Sequence, residues 1–174
     1  KKSAQKKYLH TLKKDFPKHQ IIFVDAGRKR QESSKNGVLF LQRYNPQRIL
    51  IHDSARPLLK NNLVKKLIKN LDVYNVCVPY IKYNDYIKYK NNEREFKNNF
   101  FKHIQTPQAF KYNLILKAHR FNKNFNAKDD NTLTEKIGVK TKFIKGSKIN
   151  IKITYKEDLE LFNLLRFKER RSGI

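Results

Sequence analysis

The stretch Ile49-Leu50-Ile51-His52-Asp53-Ser54-Ala55-Arg56-Pro57 constrains this chain more than any other. Three consecutive apolar residues read as a strand covered on both faces, as in a parallel sheet. The run stops at His52-Asp53, two groups that are costly to bury without partners, and Pro57 ends any continuation. In an open α/β sheet the carboxyl ends of the strands line the ligand crevice. An acid and a guanidinium three residues apart at such an end suit a phosphorylated ligand. Asp53 can take a hydroxyl or organise a metal's water shell, and Arg56 can fork onto phosphate oxygens. From these residues alone, an Asp–Arg pair that merely ties down a turn accounts for the pattern equally well.

The rest of the chain alternates strand and helix patterns around this stretch. Residues 1–15 carry Ala4, Tyr8, Leu9 and Leu12 at helical spacing. Residues 20–24, Gln-Ile-Ile-Phe-Val, read as a strand leading into the turn Asp25-Ala26-Gly27. A helix is expected over about 31–43, with Gly37 inside it hinting at close packing. A second helix is expected near 61–71 on the stripe Leu63, Val64, Leu67, Ile68 and Leu71. Residues 74–81 predict a strand whose Pro79 argues for a strand end or an edge. Residues 83–98 read as a polar hairpin arm around Asn91-Asn92. Pro107 suits the first position of a helix that buries Leu114, Ile115, Ala118 and Phe121. A short helix opens at Asp129-Asp130 and stops at Gly138, and a strand covers 141–144. Residues 149–154 alternate strictly, which puts Ile149, Ile151 and Ile153 inward and Asn150, Lys152 and Thr154 on a polar face. Thr154 and Glu157 have capping-box spacing ahead of a last helix with Leu159, Phe162 and Leu165 inward. The pattern is that of an α/β domain with a mostly parallel sheet.

Composition narrows the partners. The chain has 174 residues, enough for one domain with a real core, and 40 Lys+Arg against 15 Asp+Glu for a net charge of +25. Such an excess raises nucleic acid, an anionic surface or a phosphorylated substrate as partners. The lysines are spread along the whole chain, however, among many Asn and Ile, and a dedicated polyanion surface would cluster them. A basic nucleic-acid-binding module therefore stands as the alternative of another class. Cys77 is the only cysteine, so no intramolecular disulfide is expected and a cytoplasmic setting fits. No membrane span is expected, because no apolar run approaches the ~18 residues one needs. The five His are isolated, and no metal-ligand cluster or P-loop pattern is present.

Five motifs in order carry a resemblance. They are Ala26-Gly27-Arg28-Lys29-Arg30-Gln31-Glu32-Ser33, His52-Asp53-Ser54-Ala55-Arg56-Pro57, Gln105-Thr106-Pro107-Gln108-Ala109-Phe110, Asp129-Asp130, and Asn150-Ile151-Lys152-Ile153-Thr154 followed by Glu157-Asp158-Leu159. Together the set resembles the 2-C-methyl-D-erythritol 4-phosphate cytidylyltransferases of the non-mevalonate isoprenoid pathway. Ribitol 5-phosphate cytidylyltransferase shares much of the pattern. The resemblance implies a three-layer, Rossmann-like sheet of the nucleotidyltransferase type with a protruding hairpin arm. It implies attack of the substrate phosphate on the α-phosphorus of CTP, with pyrophosphate leaving and magnesium assisting. Carried over by motif, Gly27, Arg28, Ser33 and Ser54 would meet the nucleotide. Asp53, Arg56 and Thr106 would hold methylerythritol phosphate, and Lys152 would be catalytic, positioning that phosphate for in-line attack. A partner subunit's arm would complete the site, which implies a homodimer.

The chain also departs from the pattern. The family's opening Gly-rich loop, which cradles the triphosphate, has no counterpart here. The first strand is expected to be missing with it, leaving a gap in the sheet, and the chain as it stands is expected not to turn over CTP. The absence of Met and the tail Arg170-Arg171-Ser172-Gly173-Ile174, which resembles the start of methylerythritol cyclodiphosphate synthase, predict a piece of a bifunctional enzyme. Its cytidylyltransferase domain is expected over 1–168, with 169–174 as the tail. At substrate positions, Asn98 stands for the family's Arg with Lys97 beside it, Asp85-Tyr86 for its Asp-Thr, and Lys128 for the Thr before the paired acids.

Overall fold

The computed structural model describes residues 2–82, 101–122 and 127–171. The expected hairpin arm at 83–98, with Asp85, Tyr86, Lys97 and Asn98, lies outside the described residues. So does the end of the tail, 172–174.

In chain order the elements are α1 (Lys2–Asp15), α2 (Arg30–Phe40), a 3₁₀ turn (Leu41–Tyr44), β1 (Arg48–Ile51), α3 (Asn61–Asn70), β2 (Val76–Lys82), β3 (Lys102–Ile104), β4 (Gln108–Lys111), α4 (Tyr112–Phe121), α5 (Asp130–Lys136), β5 (Lys142–Lys145) and α6 (Lys156–Arg171). The sheet runs β1-β4-β2-β3, with β5 on β2. β1, β2 and β5 share one direction. β4 lies between β1 and β2 and runs against both, so β2–β5 is the parallel pair and the other three pairings are antiparallel. The sheet is thus mixed, where a mostly parallel one was expected. The reversal comes from β3 and β4, which both run against β2.

Side-chain alternation builds three layers. On one face Val76, Val78 and Phe110 pack with Val38 of α2, Tyr112, Ile115 and Ala118 of α4 and Leu133 of α5. On the other, Cys77, Ala109 and Ile144 meet Leu63 and Leu67 of α3 and Leu71 just beyond it. Strands covered on both sides explain the near-continuous apolar runs in the sequence. Cys77 is fully buried, and burial pushes its thiol up to about 11, as befits a core residue.

Several local expectations fail for tertiary reasons. Pro107 does not open a helix. It follows a cis Thr106-Pro107 bond and leads into β4, because Gln108, Ala109 and Phe110 pair with β1 and are buried. Pro79 is not at an edge, since β2 is central. Its carbonyl accepts from Gln105 N in the interval between β2's pairings with β4 and with β3, where a missing N–H breaks no ladder. Phe121 is exposed at 71%, because the α4 face that packs inward runs through Tyr112, Ile115, Leu116 and His119. Leu159 is half-exposed, and the carboxylate that reaches back over the start of α6 is Asp158, which accepts from Thr154 N and Tyr155 N. Glu157 is one position too early for that role. Those two backbone bonds hold the Asp158 carboxyl below its ordinary range.

Residues 20–24 do not form a strand. They face the outer edge of β1, which has no strand partner among the described residues. Between them lies a cleft of about 590 Å3 lined by Ile22, Val24, Val38, Ile49 and Ile51 together with Ser33 and His52. A strand needs a neighbour for its N–H and C=O groups, and the cleft separates segment 20–24 from β1. Gly37 opens onto the same cleft, and a Cβ there would meet nothing within 4 Å, so the expected close packing is absent.

Candidate active site

The end of β1 and three later segments converge. Asp53 follows β1, and its backbone N donates to Thr106 Oγ1 at 3.0 Å. Thr106 Oγ1 also lies 3.0 Å from His52 Nδ1, while His52 Nε2 lies 3.0 Å from the Arg56 carbonyl. A carbonyl can only accept, so Nε2 carries the proton and Nδ1 accepts from the Thr106 hydroxyl. The turn after β1 is thereby clamped onto the Gln105-Thr106 loop, and the Thr106 hydroxyl is committed on both sides.

Arg56 is buried at 5% exposure. Its Nη1 donates to the Asn150 carbonyl at 2.8 Å, and its Nε stands 3.9 Å from Asp53 Oδ2. Nε has no hydrogen-bond partner among the described residues. Burial lowers the guanidinium's pKa, and the Asp53 charge opposes that shift. Lys152 arrives from the far end of the chain and places Nζ 3.2 Å from Asp53 Oδ2.

The segment holding Lys152 is not the regular strand expected. Asn150 is buried and Ile149 is 40% exposed, opposite to the alternation. The amide of Asn150 donates to Thr106 O at 2.8 Å, and Ile153 N donates to Ala55 O at 2.8 Å. Those tertiary bonds decide which side chains turn inward. Gln105, also buried, bonds Ser147 O and Asn150 O. A Cβ on Gly146 would collide with the Gln105 Oε1, so a side chain there would push the Gln105 amide off its bonds to the 147–150 turn. Gln105 and Asn150 are site residues that sequence reasoning misses; their one signal is a polar side chain within a family-like motif.

The second cluster opens α2. Gly27 N donates to Ser33 Oγ at 3.0 Å, and Arg28 N donates to Glu32 Oε2 at 2.7 Å. A Cβ on Gly27 would collide with Glu32, which fixes glycine in this turn. The Arg28 side chain is exposed, as is Ser54. Ser33 and His52 line the same cleft, which joins the two clusters.

Behind them sits Asp130, with no exposed surface. Arg30 Nη2 at 2.5 Å and Ser34 Oγ at 2.6 Å donate to it, and His119 Nε2 stands 3.2 Å away, off the line of a good hydrogen bond. Burial pushes this carboxyl upward, but His119, the Arg30 guanidinium and the Ser34 hydroxyl outweigh it, and the net shift is downward. A depressed folded value means that the stabilisation is full above the unfolded pKa and lost as pH falls through the folded one. Asp130→Asn is therefore expected to lower the Tm at neutral pH and to flatten its decline below about pH 4. An acid limb as steep in the variant as in the parent would contradict this.

Among the described residues, no group of three or more His, Cys, Asp or Glu could hold a metal ion, and no helix is long and apolar enough to cross a membrane. Asp53 is the carboxylate at the converging segments. Magnesium commonly takes one or two carboxylates with substrate phosphates and water. The donor set therefore fits an ion that arrives on a polyphosphate and does not fit a resident all-protein cage.

The family model described as 2-C-methyl-D-erythritol 4-phosphate cytidylyltransferase matches residues 2–165. The bifunctional enzyme IspD/IspF of Pelagibacter ubique is 35% identical over 166 residues, covering 94% of this chain and 44% of that protein. The 2-C-methyl-D-erythritol 4-phosphate cytidylyltransferase of Clostridium tetani is 34% identical over 159 residues, covering 88% and 64%. The chain thus spans roughly half to two thirds of these relatives. The crystal structure of 4-diphosphocytidyl-2C-methyl-D-erythritol synthase from Anaerococcus prevotii superposes with a TM-score of 0.80 at 27% identity, covering 90% of this chain and 73% of that one. With the motifs in order and the model matching nearly end to end, the chain belongs to the 2-C-methyl-D-erythritol 4-phosphate cytidylyltransferase family.

Proposed function

We propose that the chain is the catalytic domain of a cytidylyltransferase that moves CMP from CTP onto 2-C-methyl-D-erythritol 4-phosphate. The observation that carries this is the meeting of Lys152, Asp53 and the incompletely partnered Arg56 at the end of β1. A phosphate oxygen of the polyol phosphate attacks the α-phosphorus of CTP. The bond from that phosphorus to the bridging oxygen of the β-phosphate breaks, and pyrophosphate leaves. Charge builds on the phosphoryl oxygens, so positioned cations supply most of the catalysis. Lys152 and Arg56 are those cations on the polyol phosphate side. Asp53 holds the Lys152 ammonium and offers its other valence to a substrate hydroxyl. Gly27, Arg28, Ser33 and Ser54 make the nucleotide side, with the backbone at Gly27 free of a Cβ that would push Glu32 away. Thr106 serves chiefly by holding Asp53 and His52 in place. Magnesium would arrive on the CTP phosphates, with Asp53 the carboxylate of the site able to meet its water shell, and would supply positive charge against the phosphates' own. A homodimer, with the partner's arm closing the polyol site, completes the reading.

The test is pyrophosphate release from CTP with methylerythritol phosphate, and with ribitol 5-phosphate for comparison. It is run on this chain and on one extended at its N-terminus with the corresponding segment of the Clostridium tetani relative. Release by the extended chain with methylerythritol phosphate is expected. Failure of that chain to bind CTP or release pyrophosphate would sink the proposal.

A further inference from the structure

Asp129 and Asp130 are neighbours that point to opposite sides. Asp130 takes Arg30 and Ser34, both from the first two turns of α2. That helix has no side-chain cap of its own, so its placement leans on partners elsewhere. Asp129 caps α5, accepting from Thr132 N at 2.9 Å, and its other oxygen accepts from Gln108 Nε2 at 2.8 Å. Gln108 Oε1 in turn accepts from Asn131 N at 3.0 Å. Gln108 lies two residues after Thr106, which clamps Asp53 and His52. Asp130 thus grips the Gly27–Ser33 side, and Asp129 grips the start of β4, which pairs with the end of β1 just before Asp53.

We propose that the Asp129–Asp130 pair is the joint that sets the two halves of the site against each other, each acid positioning a different half. Neither is a catalytic residue or a metal ligand. Both carboxylates are already engaged by protein donors, and Asp130 is sealed from solvent. The assignment of the halves to nucleotide and polyol phosphate rests on the function proposed above; the mechanical linkage does not.

Hydrogen exchange on the chain without substrate separates the two. Asp130→Asn turns an acceptor for Arg30 and Ser34 into a group with its own N–H. Exchange at the Gly27, Arg28 and Ser33 amides is expected to rise at least tenfold, with Asp53 and Gln105 within about twofold. Asp129→Asn is expected to do the reverse. If Asp130→Asn does not fold, Ser34→Ala, which removes one donor, must show the same localisation at smaller amplitude. A uniform rise throughout the core, or no local rise, overturns the proposal. On the extended chain, Asp130→Asn should raise KM for CTP and Asp129→Asn KM for the polyol phosphate, each about tenfold. A fall in kcat with both KM values unchanged would overturn the positioning role. An inactive parent would refute the proposed function while the exchange result still decides the joint.

Discussion

Lys152→Ala is expected to lower the rate of pyrophosphate release by about 100- to 1,000-fold, the usual effect of removing one donor aimed at developing charge. The same change should leave stability nearly untouched. Lys152 is 49% exposed and its partner Asp53 is 27% exposed. Ion pairs of that kind contribute about 0–1 kcal/mol, because solvent screens them and holding two side chains costs entropy. For a chain of this size that is a Tm shift of no more than about 4 °C. Pyrophosphate release and thermal unfolding on the extended chain give both numbers. Turnover within threefold of the parent would remove Lys152 from the chemistry. A large fall in Tm would mean that the lysine is a strut.

The two cations of this site differ in how visible they are to sequence reasoning. Asp53 and Arg56 were legible because the strand pattern before them stops sharply, and a local spacing of three residues brought both into one turn. The strand at 76–78 was legible as an apolar run, whereas its alternation between two helix-covered faces is seen only in the packing. The expected alternation holds from Ile151 to Thr154, with Lys152 and Thr154 outward, and fails at Ile149 and Asn150. Asn150 turns inward because Thr106 O accepts its amide, a contact 44 residues away that no local period encodes. Pro107 shows the same limit. Proline suits both a helix start and the entry to β4, and only pairing with β1 decides. Segment 20–24 had strand propensity without a strand beside it. Asp130 belongs to a quoted motif, yet its partners Arg30 and Ser34 lie 100 and 96 residues away. The motif could name it but could not say what it holds.

Arg56 leads to the opposite balance of effects from Lys152. A buried guanidinium stays charged and must be satisfied to be tolerated. Among the described residues this one meets the Asn150 carbonyl at 2.8 Å and an acid at 3.9 Å, and its Nε has no hydrogen bond. Replacing such a group by an apolar side chain of similar length removes a desolvation penalty, and the partly exposed Asp53 is not left unpaired, since Lys152 Nζ stays 3.2 Å from it. The Asn150 carbonyl would not be orphaned, because Gln105 Nε2 also reaches it at 3.2 Å. Arg56→Met is therefore expected to match or exceed the parent's Tm. Its KM for the polyol phosphate should rise about 10- to 100-fold, the loss of one charge-assisted bond worth roughly 1.5–3 kcal/mol. Arg56→Ala is the control for volume: it leaves a cavity and should fall in Tm by several degrees with the same KM defect. If Arg56→Met instead unfolds well below the parent, the guanidinium is held for the fold. If it keeps or gains stability while losing substrate, the guanidinium is retained for the substrate's phosphate and not for the fold.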